Sequence, residues 1–141
     1  MEGVLRIPER EVGTKPDMSP ATNLLRQVHP DFNPEGKLTS QAFMPFPKDE
    51  GKLSVYDGDQ ISAADAYKHY TEVLGYRANS VWGVSCAEVA TTGLKSEPEP
   101  SEGFPSHALI DFNGHEERDF RKLAKKLKAY AIARGCMHSS R

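Results

Sequence analysis

The feature that most constrains the fold is an amphipathic stretch near the C-terminus, residues 116–134. Its apolar residues recur at helical spacing and form one stripe: Phe120, Leu123, Ala124, Leu127, Tyr130 and Ala131. Acidic residues occupy its first turn and Gly135 follows its last turn, as at the ends of many helices. A helix with one apolar stripe must bury it against another element. The rest of the chain therefore has to supply that surface.

What the rest of the chain offers is mostly short apolar segments bounded by Pro, Gly, Asn or Asp, which is typical of strands. The predicted strands are residues 23–28, 38–44, 52–56, 80–84 and 107–112. A helix opened by Ser62 and ended by Gly75 is predicted, and a short helix opened by the capping box Ser85-x-x-Glu88. We therefore predict an α+β fold, in which one medium and one long C-terminal helix pack on a single twisted mixed sheet of about five strands.

The length of 141 residues suits one domain. Residues 1–22 mix Pro, Gly and charges without periodicity, so we predict a flexible N-terminal arm. Residues 23–141 are predicted to form a single globular domain, and residues 95–106 an acidic, Pro-rich surface loop within it.

Charge gives no strong attraction to nucleic acid or to an anionic membrane, because 18 basic and 20 acidic residues leave a formal net charge of −2. The basic residues concentrate in one stretch: Arg118, Arg121, Lys122, Lys125, Lys126, Lys128 and Arg134. Such a stretch is typical of a solvated helix face, and the alternative is a patch for phosphate or an acidic partner. Nucleic-acid binding is not favoured, because the aromatic residues nearby belong to the buried stripe.

The motifs of several enzyme classes are missing. Cys86 and Cys136 lie in no metal-ligand spacing, and we expect no metal. The sequence also lacks a Gly-rich phosphate loop and a G-x-S-x-G nucleophile motif. Since it shows no signal peptide and no long apolar run, we expect a cytoplasmic protein with reduced thiols.

Candidate site residues lie among apolar neighbours. Arg26, His29 and Tyr56 are the candidates for catalysis, and the candidates for binding are Arg26, His29, Ser40, Phe43, Ser54 and His107. An arginine in an apolar strand either has a structural partner or binds an anion. His29 is the leading candidate for acid–base catalysis unless its role is structural, because the pKa of a histidine is ordinarily near neutral. Ser40 and Ser54 are both predicted in strands, where a hydroxyl usually bonds neighbouring backbone.

The segments LLRQVHPDF, TSQAF, KLSVY and FPSHALIDF, in this order and spacing, resemble a recurring group of small bacterial proteins. The resemblance covers residues 24–112. It implies a bacterial, cytosolic, single-domain protein and brings no catalytic residues with it.

A second resemblance is to small ADP-ribosyltransferase-like toxin folds, through Arg26, the segment Ser40-Gln-Ala-Phe43, and Tyr56. It implies an enzyme that uses NAD, with Arg26 pairing with a phosphate and Tyr56 stacking on a ring. Glu88 is the nearest counterpart of that family's later glutamate, and here it is predicted in a capping box.

The sequence therefore favours two functions. The first is a non-catalytic protein-interaction module or accessory subunit of a bacterial operon-encoded complex, with a defence or toxin–antitoxin system as its expected context. It would bind another protein encoded nearby, through a sheet face or the basic helix, without a cofactor. The alternative is a small NAD-dependent ADP-ribosyltransferase-like enzyme or toxin. Convergence of Arg26, His29 and Tyr56 on one pocket would favour the enzyme, and their separation on opposite sheet faces would not.

Overall fold

The structure, a computed structural model, describes residues 18–140 and is built on one antiparallel sheet. Over these residues the sheet has six strands: β1 (Asn23–Val28), β2 (Lys52–Asp57), β3 (Ser80–Ser85), β4 (Lys95–Pro98), β5 (His107–Asp111) and β6 (His138–Ser139). Their order across the sheet is β4-β5-β2-β1-β3-β6, and each neighbouring pair is antiparallel. The predicted α+β class is confirmed. The mixed sheet of about five strands is corrected to an antiparallel sheet of six.

The helices of residues 18–140 are α1 (Ala63–Lys68), α2 (Cys86–Thr91) and α3 (Phe120–Arg134). The Ser62 hydroxyl caps α1, accepting a hydrogen bond from the Asp65 N–H at 3.1 Å. The helix then widens into one π turn, His69–Val73, before Gly75 adopts a φ of +77° that favours glycine. A 3-10 turn, Glu117–Asp119, leads into α3. The predicted helices therefore exist, and the first one ends in a wider turn.

The strand predicted over residues 38–44 is wrong. Ser40–Phe43 is a 3-10 turn, in which the Met44 N–H donates to the Gln41 carbonyl. Ser40, Ala42 and Phe43 are all buried, so the segment lacks the alternation of a half-buried strand. The apolar side chains of Ala42 and Phe43 belong to a turn that covers one face of the sheet. Ser40 consequently lies outside the sheet.

Two strands lie where none was predicted. β4 begins the segment 95–106 that was expected to be a loop, and its Lys, Glu and Pro residues are those that protect a sheet edge from pairing with another chain. β6 is two residues long and follows α3 at the opposite edge. A strand that short leaves no periodic signal in a sequence.

The predicted N-terminal arm lies mainly outside the described residues, but its last part, residues 18–22, is docked. The fully buried Thr22 donates its hydroxyl to the Asp59 carboxylate at 2.6 Å. Its carbonyl accepts from the Cys86 N–H, and the Pro20 carbonyl accepts from the Ala87 N–H. The folded unit thus begins before residue 23.

Alternate residues of the strands point to the two faces of the sheet, named here for the helices that pack on them. The α3 face carries the larger core, whose sheet residues include Leu24, Val28, Leu53, Val55, Val84, Ala108 and Ile110. The α1 face carries a smaller cluster of Leu25, Tyr56, Ala66 and Val81, with Tyr67, Tyr70 and Phe104 partly buried against it.

α3 docks through the predicted stripe. Leu123, Ala124, Leu127 and Ala131 are buried in the larger core, while Phe120 and Tyr130 are partly buried against it. The basic side chains Arg121, Lys122, Lys125 and Lys126 point to solvent. The stripe therefore fixes how the helix is rotated on the sheet.

An ion pair joins the end of α3 to the start of α2. The predicted capping box is confirmed, since the Glu88 carboxylate accepts from the Ser85 N–H and the Ser85 hydroxyl accepts from the Glu88 N–H. Arg134 donates to both oxygens of the same carboxylate, at 2.8 and 3.0 Å. Burial alone would raise the pKa of Glu88, but the bonds from Arg134 and Ser85 outweigh it and the pKa is lowered. The Glu88 carboxylate therefore has a structural role.

We predict that Leu127→Ala lowers stability by about 2–5 kcal/mol, because it leaves a cavity in a fully buried site. The exposed neighbour supplies the control, and Lys126→Ala should change stability by less than about 0.5 kcal/mol. Thermal unfolding of the two purified variants measures the difference. A larger loss for Lys126→Ala would show that α3 is rotated from the described position.

Candidate functional site

Arg26 occupies a gap in the sheet between β1 and β2. The described register between these strands has two pairs, Leu24 with Asp57 and Leu25 with Tyr56. Antiparallel alternation would place the next hydrogen-bonded pair at Gln27 and Ser54. Instead, Arg26 Nη1 donates to the Ser54 carbonyl at 2.9 Å, and Nε donates to the Ala42 carbonyl at 2.7 Å. One side chain therefore links β2 to the turn that covers the α3 face.

Burial lowers the pKa of Arg26, and the nearby Tyr70 and Asp49 partly oppose that effect. Burial likewise raises the pKa of Tyr56, to which Tyr70 adds, and it raises the pKa of Tyr70 although Arg26 acts in the opposite direction. The two phenols therefore remain protonated hydrogen-bond donors around neutral pH. Tyr70 thus interacts electrostatically with both Arg26 and Tyr56, and a clustering of groups with shifted pKa values is frequent at functional sites.

Two histidines connect sheet hydroxyl groups to the segment between β4 and β5. The Tyr56 hydroxyl lies 2.6 Å from His69 Nδ1, and His69 Nε2 lies 3.0 Å from the Gly103 carbonyl. The Ser54 hydroxyl lies 2.9 Å from His107 Nε2, and His107 Nδ1 lies 3.0 Å from the Glu99 carbonyl. Because a carbonyl can only accept, each ring carries its proton on the nitrogen that faces the carbonyl. The other nitrogen then accepts from the hydroxyl.

Phe104 lies between these two pairs. Its ring centroid is 4.6 Å from that of Tyr56, 4.9 Å from that of His69 and 4.5 Å from that of His107. The chain reaches this position by folding back on itself, with reciprocal backbone hydrogen bonds between Ser101 and Phe104. The segment after β4 is thus fixed to the α1 face.

The structure brings together four of the predicted site residues and leaves three apart. Arg26, Ser54, Tyr56 and His107 lie around the gap and the adjoining part of the α1 face. His29 caps the turn Pro30–Phe32 and its ring packs against Phe32. Ser40 lies in the turn on the α3 face, and Phe43 is fully buried in the larger core. Arg26 itself leaves β1 toward the α3 face, opposite to Tyr56.

Sequence reasoning missed His69, Tyr70 and Phe104. All three reach the cluster through chain reversals, and a single histidine or aromatic residue in a helix or loop carries no signal of that. The diagonal proximity of Ser54 and His107 follows from the β2–β5 register, in which Tyr56 pairs with His107 and Ser54 with Leu109. The sequence alone does not predict the register between β2 and β5.

A second candidate surface is the exposed side of α3, called here the α3 outer face: Arg121, Lys122, Lys125, Lys126, Ala129 and Ile132. Its side chains are exposed, and Ile132 retains half of its accessible surface. Beside it lies a groove of about 500 Å³ between α2 and α3, lined by Thr91, Thr92, Lys126, Ala129 and Tyr130. Among residues 18–140, no acidic side chain forms an ion pair with the four basic residues of this face.

Residues 18–140 include no group of three or more His, Cys, Asp or Glu side chains placed to hold a metal ion. In the same part of the chain, the helices are too short or too polar to cross a membrane. Comparisons of the chain with protein-family models, with curated proteins and with solved structures found no match.

We predict that Arg26→Met lowers the free energy of unfolding by about 2–4 kcal/mol, since the carbonyls of Ser54 and Ala42 both lose their donor. Arg77→Met is the matched control, because Arg77 is exposed and should contribute less than about 0.5 kcal/mol. Urea denaturation of both variants measures these values. Equal stability of the two variants would contradict a structural role for Arg26 in the gap.

Proposed function

We propose that this protein is an interaction module that binds another bacterial protein, encoded nearby, through the α3 outer face. The observation that supports this is the row of exposed arginine and lysine side chains without acidic partners among the described residues. The protein as a whole carries a formal charge of −2, so the positive charge is local to this face. A local field of one sign attracts and orients a partner of opposite sign.

The partner would present an acidic surface with an apolar side chain. Ile132 is exposed next to the basic residues, and the groove beside Tyr130 is of the size that accepts one or two side chains. Interfaces of proteins combine such buried apolar anchors with a charged rim. Charge alone would give attraction, and the groove would give a fixed orientation.

A protein fits this face better than a nucleic acid does. Binding of single strands relies on aromatic side chains on which bases stack. Here Phe120 and Tyr130 are partly buried against the core, and the outer face offers Ala129 and Ile132 instead. These aliphatic groups suit an apolar protein anchor.

The alternative, an NAD-consuming transferase, draws little support from the geometry. Arg26 already donates to two backbone carbonyls, and Tyr56 is 2 % exposed. Glu88 is held by Arg134 and Ser85. Pairing with a phosphate or stacking on a nicotinamide ring would require each of these groups to leave its present contacts.

The test is a titration of the partner against charge-reversed variants. Affinity capture with the full chain from the producing bacterium first identifies a stoichiometric protein partner, which is then purified. The variant in which Arg121, Lys122, Lys125 and Lys126 become Glu should bind it at least about tenfold more weakly, and wild-type affinity should fall as salt rises.

The matched control reverses four exposed lysines outside α3: Lys37, Lys48, Lys68 and Lys95. This variant has the same change in net charge, so its affinity should stay within about threefold of wild type if the face matters and not the total charge. Equal weakening by both variants would contradict the proposed surface. Absence of any stoichiometric partner from a well-folded bait would contradict the function.

A further inference from the structure

The Ser54–His107 pair has the arrangement of an activated nucleophile. Ser54 Oγ lies 2.9 Å from His107 Nε2, and His107 Nδ1 lies 3.0 Å from the Glu99 carbonyl. Since the carbonyl fixes the proton on Nδ1, the lone pair on Nε2 faces the serine hydroxyl. A hydroxyl, a basic nitrogen and a third group that orients the base form the recurring pattern of nucleophilic catalysis.

The local structure holds His107 in this orientation. Glu99 and His107 bond twice, because the Glu99 N–H also donates to the His107 carbonyl at 2.8 Å. The Phe104 ring packs against the imidazole ring, with the two centroids 4.5 Å apart. Ser54 lies on β2, next to the strand that carries His107, so two paired strands set the distance between the reacting groups.

The Ser54–His107 pair differs from the Tyr56–His69 pair in solvent exposure. Tyr56 and His69 are built in the same way, but Tyr56 is 2 % exposed, so an external molecule does not reach its hydroxyl. Ser54 is exposed, and His107 is half-buried. The Ser54 hydroxyl is therefore the one that a substrate can approach.

We propose that Ser54 is a nucleophile, with His107 as its general base, toward carboxylic esters of small acyl groups. Ser54 Oγ forms a bond to the acyl carbon while its proton passes to His107 Nε2. The ester C–O bond breaks, and the departing alkoxide takes that proton and leaves as an alcohol.

Water then attacks the acyl group on Ser54 and gives a proton to Nε2. The acid leaves as Oγ is reprotonated. The balance is one ester plus one water giving one acid plus one alcohol, without an oxidant or reductant.

A fluorophosphonate probe on the purified full chain tests the chemistry. Ser54 Oγ would form a bond to phosphorus as the P–F bond breaks and fluoride leaves with the proton. Peptide mass spectrometry should find Ser54 labelled at least about tenfold faster than Ser62 and Ser101, which are exposed serines without a histidine partner in the described part of the chain. Labelling of all three at one rate would overturn the proposal.

A substitution of the proposed general base, His107, provides a second test. His107→Gln keeps a hydrogen-bonding side chain but cannot take up the proton, so labelling of Ser54 should fall about 100-fold or more. His115→Gln is the control, because His115 also places a ring nitrogen 3.0 Å from a backbone carbonyl, that of Gly93, and has no hydroxyl partner among residues 18–140. Thermal unfolding confirms that both variants are folded. Unchanged labelling of Ser54 in His107→Gln would refute the role of the base.

This inference does not rest on the proposed interaction module. Ser54 lies on the α1 face and the α3 outer face lies on the other side of the sheet. Ser54→Ala should therefore abolish labelling at this position and leave partner affinity unchanged. Hydrolysis of p-nitrophenyl acetate by wild type that Ser54→Ala removes would add support, and hydrolysis equal in both would count against it.

Discussion

The guanidinium of Arg26 is the group on which the central part of the sheet depends. It lies where β1 and β2 would otherwise continue their ladder, and it bonds the Ser54 carbonyl on one side and the Ala42 carbonyl on the other. Arg26 is half-buried, and a partly desolvated guanidinium is costly unless its donors are used, so these two bonds offset the cost of placing the charge in the gap. The same bonds hold the turn Ser40–Phe43 over the larger core. Ser54 pairs with Leu109 of β5 but has no described partner on β1.

Two surfaces with different chemistry result from this arrangement. The α3 face is closed by the apolar stripe of α3, which leaves the basic outer side of the helix exposed. The α1 face is closed by α1 and by the segment that carries Phe104, and it keeps the Ser54 hydroxyl exposed beside His107. Binding and nucleophilic chemistry would therefore occupy opposite sides of one sheet, and each can be removed without the other.

The sequence predicts the elements whose signal is periodic or local. The stripe of α3, the cap Ser62 and the capping box of Ser85 and Glu88 were all readable, because each depends on neighbours within a few residues. The turn Ser40–Phe43 was misread as a strand, since its burial comes from distant elements. Arg26, Ser54 and His107 were predicted from the sequence as candidate site residues, but their proximity depends on the strand register. His69 and Phe104 reach the site through chain reversals, which no local sequence pattern encodes.

The most direct test of the central claim is nuclear magnetic resonance of the arginine side chains in the ¹⁵N-labelled full chain. The Nε–H of Arg26 should exchange with solvent at least about 100-fold more slowly than that of the exposed Arg77, because burial and the bond to the Ala42 carbonyl protect it. A coupling across the hydrogen bond from Arg26 Nε to the Ala42 carbonyl carbon would identify the acceptor. Exchange of Arg26 as fast as that of Arg77 would show that the guanidinium does not occupy the gap.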